Sequence, residues 1–370
     1  MDSELKEKLL QNDREMLDVF TRRMALEKAA VEKHGDDDFR RRMLDFRSGA
    51  APELADYAGV LYSTLNELGR SCRRRNESLN GTFCKMLRNA LQNTGKLFPK
   101  NARVACCAQP GAYAQIAADK LFNLADITYV NDFNGVFQAV EKNLCRYGVL
   151  PIENSTSGTV DAVCDLMKDH HFYIVRSFRL RVHHVLLVPR GANPAKITEI
   201  FSHEQALKQC SKFISGRPGI KCTACASTAQ AAKFVAMSGR LDVAAIASRE
   251  CAEIYDLDIA ADHIQNNDFN YTRFICISRE PEIYPGANRV SIMAALPHRA
   301  GALYQLLGRF SVLGVNLTKL ESRPIPGEEF EYMFYFDFDA SLNDPAVLEL
   351  LAELQRDDGK FVFLGNYQEL

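Results

Sequence analysis

Pro151-Ile-Glu-Asn-Ser-Thr-Ser-Gly-Thr-Val160 follows the apolar run Tyr147-Gly-Val-Leu150 and precedes Asp161-Ala-Val-Cys-Asp-Leu-Met-Lys168, whose apolar residues recur at helical spacing. That pattern predicts a buried strand, a polar turn and then a helix. In an open α/β sheet, ligands bind at the carboxyl ends of strands, where a following helix offers unpaired N–H groups. The turn carries a carboxylate (Glu153), an amide (Asn154), the hydroxyls of Ser155, Thr156, Ser157 and Thr159, and a glycine. Ser, Thr and Asn are also favoured in ordinary capping turns. The turn alone leaves both readings open.

The segments around it alternate. Short apolar strands (Val104–Cys106, Ile127–Val130, Tyr147–Leu150) are separated by helical stretches (Tyr113–Phe122, Phe133–Asn143). A second series follows at Phe172–Phe178, Val182–Val188, Glu204–Ile214, Ser227–Ser238 and Val243–Ile246. This order predicts α/β architecture. At 370 residues the chain has room for two or three domains. With 47% hydrophobic and 25% charged residues and a net charge of −2, it has the composition of a soluble globular protein, with no overall field for nucleic acid or anionic membrane. No apolar run approaches the ~20 residues of a membrane span, and the charged start Met1-Asp-Ser-Glu-Leu-Lys-Glu-Lys8 lacks a signal-peptide core. The 11 cysteines lie in apolar segments, as small buried hydrophobes of a reducing cytoplasm do. Cys222-Thr-Ala-Cys225 has no partner pair. His170-His171 and His183-His184 lack the spacing that sets two imidazoles on one helix face, so no metal is expected.

A second motif decides between the open readings. Asn270-Tyr-Thr-Arg-Phe274 opens the apolar run Ile275-Cys-Ile277. With the Glu-Asn-Ser turn it resembles the prephenate dehydratase family. The flanking pieces stand in that family's order: Gly111-Ala-Tyr113, Ser202-His-Glu-Gln205 and Ser248-Arg-Glu-Cys-Ala252. The resemblance implies a domain over residues 102–280 with two lobes around a cleft, like periplasmic binding proteins. In the implied reaction prephenate loses its ring hydroxyl as water and its ring carboxylate as carbon dioxide. The enzyme supplies a hydrogen bond to the departing hydroxyl and an anchor for the side-chain carboxylate. The resemblance gives Thr272 the contact to the hydroxyl, Arg273 the carboxylate fork and Phe274 a wall against water. Glu153, Asn154 and Ser155 line the facing side, and Gly111, Tyr113, Ser202, His203 and Gln205 contribute to substrate binding. Two positions depart from the family: Ala114 replaces a serine and Ala108 a glycine.

Residues 1–91 read as all-α. A helix over 3–34 carries Leu5, Leu9, Met16, Val19, Phe20 and Leu26 at helical spacing. A second runs through Met43 and Phe46, and a third starts at Pro52 with Leu54, Tyr57, Leu61, Leu65 and Leu68 on one stripe. So much apolar face predicts an even-numbered assembly, a homodimer or homotetramer. The layout resembles the chorismate mutase domain fused to dehydratases. That reaction is pericyclic and needs only cationic and hydrogen-bonding groups. Arg23 fits the family's second arginine, but Lys6 replaces the first and the lysine position falls on His34, one residue from Lys33. Arg40-Arg-Arg42 lacks the glutamate, and Arg73 stands where a glutamine belongs. The scaffold is kept while the site departs from the family.

Residues 288–370, beyond Pro285-Gly286, read as β-α-β-β-α-β, the ferredoxin-like α+β order. Gly301-Ala-Leu303 and Glu321-Ser-Arg-Pro324 resemble the two signatures of the ACT domain, which implies regulatory phenylalanine binding by Gly301, Ala302, Leu303, Asn316, Glu321, Ser322, Arg323 and Pro324. The expectation is thus a multidomain cytoplasmic enzyme of phenylalanine biosynthesis. Its small-molecule substrates are prephenate and chorismate and its effector is phenylalanine; it needs no cofactor or metal and engages neither nucleic acid nor membrane. Arogenate differs from prephenate only by an amine in place of a carbonyl, and it stays open as the substrate, as does a non-catalytic sensor.

Overall fold

The computed structural model describes residues 3–30, 39–107, 109–296, 298, 301–325, 332–356 and 360–370. Ala108, Lys33 and His34 lie outside them, as do the side chains of Arg40 and Arg73. The chain divides into two compact units.

The first unit joins Met1–Met86, Leu296–Gly314 and Asn343–Gly359. Its helices are α1 (Ser3–Ala30), α2 (Phe39–Ser48) and, after a 3-10 turn at Pro52–Leu54, α3 (Ala55–Leu79). Helix α4 (Thr82–Asn93) runs across the division. The expected stripe on α3 is exposed at Leu54, Tyr57, Leu61 and Leu68, and the buried side is Ala58, Tyr62 and Asn66. The partners explain which side is buried. The Tyr62 ring packs 5.3 Å from that of Phe46, and the Arg23 guanidinium lies 4.8 Å over it. Leu5, Leu9, Met16, Val19 and Leu26 of α1 are likewise exposed. Lys6 is exposed and stands about 25 Å along the helix from Arg23, so these two mutase-like cations do not converge within one chain. Helices α12 (Ala302–Val312) and α13 (Pro345–Arg356) complete this unit, and α13 packs against α3.

The second unit joins Leu87–Ala295, Val315–Leu342 and Lys360–Leu370. Its larger sheet begins with β1 (Asn101–Cys107), β2 (Leu124–Val130), β3 (Tyr147–Asn154), the short β4 (Gly158–Thr159) and β5 (Tyr173–Arg181). The chain then crosses to a smaller sheet of β6 (Val185–Pro189), β7 (Glu199–His203), β8 (Lys221–Cys225), β9 (Val243–Ala247) and β10 (Leu257–Ala261). It returns through β11 (Tyr271–Ser278), followed by β12 (Arg289–Ala295), β13 (Asn316–Pro324), β14 (Tyr332–Asp339) and β15 (Phe361–Glu369). Both sheets are mixed: β1 lies parallel to β2 and β3, and β11 antiparallel to β3 and β5. In the smaller sheet β7 is parallel to β8 and β9, and β6 antiparallel to β9 and β10. Helices α5 (Tyr113–Leu121), α6 (Phe133–Glu141) and α7 (Asp161–Asp169) belong to the first lobe. The second has α8 (Glu204–Gln209), α9 (Ser211–Ser215), α10 (Thr228–Met237) and α11 (Glu250–Ile254).

The last four strands do not form a sheet of their own. The larger sheet runs β13-β14-β12-β15-β5-β11-β3-β1-β2. Strand β15 joins β5 in parallel through Gln368↔Arg176 and Glu369↔Ser177. Gly365 makes the join possible, because a Cβ there would stand 2.1 Å from the Ile174 carbonyl oxygen. One apolar cluster spans the seam, with Ile152, Ile174 and Ile275 packed among Met293, Tyr335, Leu364 and Tyr367. Among the described residues no helix is long and apolar enough to cross a membrane.

Candidate active site

The turn after β3 and the start of β11 meet side by side. Asn154 pairs with Thr272 in the ladder, 118 residues away in sequence, and its Nδ2 lies 2.9 Å from Thr272 Oγ1. The orientation of the amide is fixed by donors that can only donate. Asn154 Oδ1 accepts from the backbone N–H groups of Thr156 (3.0 Å) and Ser157 (3.1 Å) and from both their hydroxyls. Nδ2 therefore donates, to Thr272 Oγ1, to Asn270 Oδ1 at 2.8 Å and to the Tyr271 carbonyl at 3.2 Å. With its oxygen accepting from Asn154, the Thr272 hydroxyl keeps its own proton for another partner. Ser155 ties the two segments together: its Oγ donates to Phe269 O at 3.0 Å and accepts from Tyr271 N at 2.9 Å.

The second lobe closes on this turn through α8. Gln205 Nε2 donates to Ser157 Oγ at 2.6 Å, and Gln209 Nε2 to Thr156 Oγ1 at 3.0 Å. Gln209 Oε1 accepts from Asn270 Nδ2 at 3.0 Å, which completes a ring of hydrogen bonds through Asn154, Asn270, Gln209 and Thr156. His184 Nε2 is 3.0 Å from the same Gln209 oxygen, and the Tyr113 hydroxyl lies 3.2 Å from His184 Nδ1 while donating to His183 O at 2.5 Å. Burial lowers the pKa of His184, which keeps this buried ring neutral at neutral pH. Gln209 and His184 stand outside the sequence motifs, the nearest of which ends at Gln205. Only the i, i+4 spacing of Gln205 and Gln209 on α8 could have pointed to the former.

Gly111 precedes α5 at φ +84°, and a Cβ there would meet Cys251 Sγ at 2.6 Å. Its carbonyl accepts from Ser248 Oγ at 2.7 Å, so the Ser248–Ala252 segment of the second lobe holds the loop that delivers Tyr113. His203 caps α8, its Nδ1 accepting from Gln205 N at 3.2 Å. Ser202 is fully buried and donates to Ile246 O at 2.6 Å, so its hydroxyl serves the sheet rather than a ligand. Ala114 is buried in the core of the first lobe.

Three expected roles need correction. Successive strand residues face opposite sides, so Glu153 and Arg273 point away from Asn154 and Thr272. Arg273 is only 3% exposed and is no fork in the crevice: its Nη2 lies 2.5 Å from Asp337 Oδ2 and 3.7 Å from Glu153, and its Nη1 3.5 Å from Glu369. Burial opposes its charge, but Asp337 and its other neighbours more than offset this and raise its pKa. Glu153 accepts from Lys319 Nζ at 2.7 Å. Its pKa is lowered, because Arg273 and Lys319 outweigh the upward push of burial. Phe274, opposite the point where β3 bulges at Ile152, packs in the first-lobe core with Ala114, Ala118 and Tyr284 instead of walling a pocket.

The proposed effector residues divide between the units. Gly301, at φ +85°, caps α12 ahead of Ala302 and Leu303 in the first unit. Asn316, Glu321, Ser322, Arg323 and Pro324 lie on β13 in the second. On β13, Lys319, Glu321 and Arg323 share one face. Lys319 Nζ is 2.7 Å from Thr159 Oγ1, Glu321 accepts from Thr159, and Arg323 pairs with Asp161 (2.8 Å) and Asp165 (3.0 Å). Those side chains are thus occupied by Thr159 after the β3 turn and by α7. Asn316 Nδ2 donates to Asp339 at 2.8 Å, and Ser322 and Pro324 are exposed on the other face.

A model of the prephenate dehydratase family matches residues 104–282, a span that leaves the N-terminal helices and the strands from β12 onward outside the match. The Arabidopsis thaliana protein named arogenate dehydratase/prephenate dehydratase 2, chloroplastic, is 38% identical over 277 residues, covering 72% of each chain. The solved prephenate dehydratase from Arthrobacter aurescens in complex with L-Phe is 27% identical with a TM-score of 0.66, over 72% of this chain and 89% of that one. GqqA, described as a novel type of quorum quenching acylase, is as similar, at 27% and 0.66 over 72% of this chain and 98% of its own. With more than two thirds of the Arabidopsis relative covered at that identity, this chain belongs to the prephenate dehydratase family.

Proposed function

We propose that the chain catalyses the decarboxylating dehydration of prephenate, or of arogenate, in phenylalanine biosynthesis. A fold shared with an acylase cannot carry this reading; the site must. The observation that carries it is the pinned Asn154 amide, which donates to Thr272 Oγ1 and leaves the threonine proton for a departing hydroxyl. Hydrogen bonding into the Thr272 oxygen strengthens its O–H as a donor. As water leaves and the ring becomes aromatic, negative charge on the leaving oxygen meets that donor. Arogenate is the second reading, favoured by the plant relative whose name covers both substrates.

The proposed domains are a mutase-like helical region (1–91), a dehydratase (102–280) and an ACT-type module (288–370). The β-α-β-β-α-β order of β12, α12, β13, β14, α13 and β15 supports the last, and the L-Phe bound by the Arthrobacter relative supports phenylalanine as effector. Mutase chemistry finds no support in the family match. A cytoplasmic location finds none in the relative, whose name assigns that protein to the chloroplast. The test is incubation of the purified chain with prephenate and, separately, arogenate, with and without L-phenylalanine. Phenylpyruvate or phenylalanine as product, suppressed by the effector, is the expected result; consumption of neither substrate overturns the assignment.

A further inference from the structure

The chain passes between the two sheets twice, at residues 182–184 and 262–270. These crossings bring together His183, Asp262 and His263, whose ligand atoms lie within 4.8 Å of one another. The two imidazole rings stand 3.9 Å apart between centroids, at an interplanar angle of 54°. Asp262 Oδ1 is 3.5 Å from His183 Nε2, and that nitrogen is buried without a hydrogen-bond partner. Arg249 holds Oδ2 of the same carboxylate, while Oδ1 accepts from His263 N at 2.9 Å and turns its other lone pair toward His183 Nε2. His263 adopts φ +53°, a left-handed conformation that is unfavourable for most residues with a side chain and that here brings its ring over His183.

We propose that His183, Asp262 and His263 form a binding site for a divalent transition cation of the zinc class, two imidazole nitrogens and one carboxylate oxygen supplying the protein ligands. Zinc takes this donor set at about 2.0–2.2 Å, with water in the remaining position. Ligands at tetrahedral corners stand roughly 3.3 Å apart, so side-chain rotation suffices to close the cluster. Asp262 and His263 are exposed, which gives the ion an entry path. Arg249 acts in two ways: it orients the carboxylate, as outer partners of metal ligands do, and its charge weakens the affinity.

The location gives the ion a consequence. A cation shared by both crossings staples them and stabilises the lobe arrangement in which the three ligands meet. The His183 carbonyl accepts from Tyr113, and His184 is the next residue, so the staple sits immediately behind the hydrogen-bond ring of the crevice. The sequence held no sign of this, because adjacent histidines face opposite ways and the other ligands come almost eighty positions later.

The test is titration of the full, metal-stripped chain with Zn2+ by calorimetry and with Co2+ by its visible ligand-field absorption. One equivalent bound per chain, with a tetrahedral or five-coordinate cobalt spectrum lacking sulfur charge-transfer bands, is expected. Asp262→Asn and His263→Asn each weaken binding by at least about tenfold. Asparagine tolerates the left-handed backbone, so melting of the metal-free His263→Asn chain stays unchanged. Arg249→Gln tightens binding, and Cys222→Ser/Cys225→Ser leaves it as it was. No saturable binding overturns the proposal, as does binding that survives His263→Asn or disappears with the two cysteines.

Discussion

Replacing Arg273 by methionine tests which way the Thr-Arg-Phe motif faces. The guanidinium is 3% exposed and neutralises Asp337, which is fully buried and, among the described residues, has Ser291 as its other side-chain donor. Removing one partner of a buried ion pair costs about 3–5 kcal/mol, since methionine fills the volume but leaves the carboxylate uncompensated. With a urea slope of about 3 kcal/mol/M, the unfolding midpoint falls by roughly 1 M or more. Replacing both partners, Arg273→Met with Asp337→Leu, recovers most of that loss, because apolar substitutes for a whole buried pair are often neutral. Prephenate saturation curves on the double variant separate the two roles. A Michaelis constant within about threefold of wild type is expected if Arg273 is structural, against the 10²-fold or greater rise that losing a charge-assisted fork would bring. A well-folded double variant with that large rise refutes the reasoning.

Three further predictions follow from the seam and the crevice. Lys319→Met removes a cation from Glu153, whose lowered pKa contributes stability above the ordinary carboxyl range and loses it as pH falls through the folded value. The acid limb of the melting curve moves to higher pH in the variant; an unmoved limb contradicts the pairing. Gly111→Ala incurs both a left-handed backbone and a contact at 2.6 Å to Cys251, a cost of about 1–3 kcal/mol read by thermal melting. Adding Cys251→Ala relieves the contact but not the backbone, so rescue is partial. Gly365→Ala drives a methyl into the Ile174 carbonyl and opens the β15–β5 join, which amide exchange reports as lost protection at residues 176, 177, 368 and 369. Unchanged protection there refutes the role given to that glycine.

The sequence made Asn154 and Thr272 legible, because each stands in a motif at the end of an apolar run. Three consecutive residues of a strand cannot all face one crevice. Asn154 and Thr272 therefore face the crevice and Glu153 and Arg273 face β13 and β14, while Phe274 enters the first-lobe core. Strand alternation alone carries that lesson, and the resemblance masked it. The ferredoxin-like order was also readable from periodicity, whereas its fusion to the larger sheet depends on Gly365, whose lack of a side chain shows only once Ile174 is beside it. Strands β7, β8 and β10 lie outside the expected series, and of these Lys221–Cys225 is mostly exposed and lacks an apolar run. The α3 stripe stands exposed in the single chain, since helical periodicity identifies an apolar face without saying what covers it.

The central claim is that the proton of Thr272, freed by the Asn154 amide, assists the loss of the substrate hydroxyl. Turnover of prephenate at saturation by Thr272→Val measures this most directly. The account predicts a fall in kcat of about 10²–10³, as for loss of one donor to developing charge, with melting lowered by no more than the ~1 kcal/mol of a single hydrogen bond. A variant that forms phenylpyruvate at the wild-type rate contradicts it.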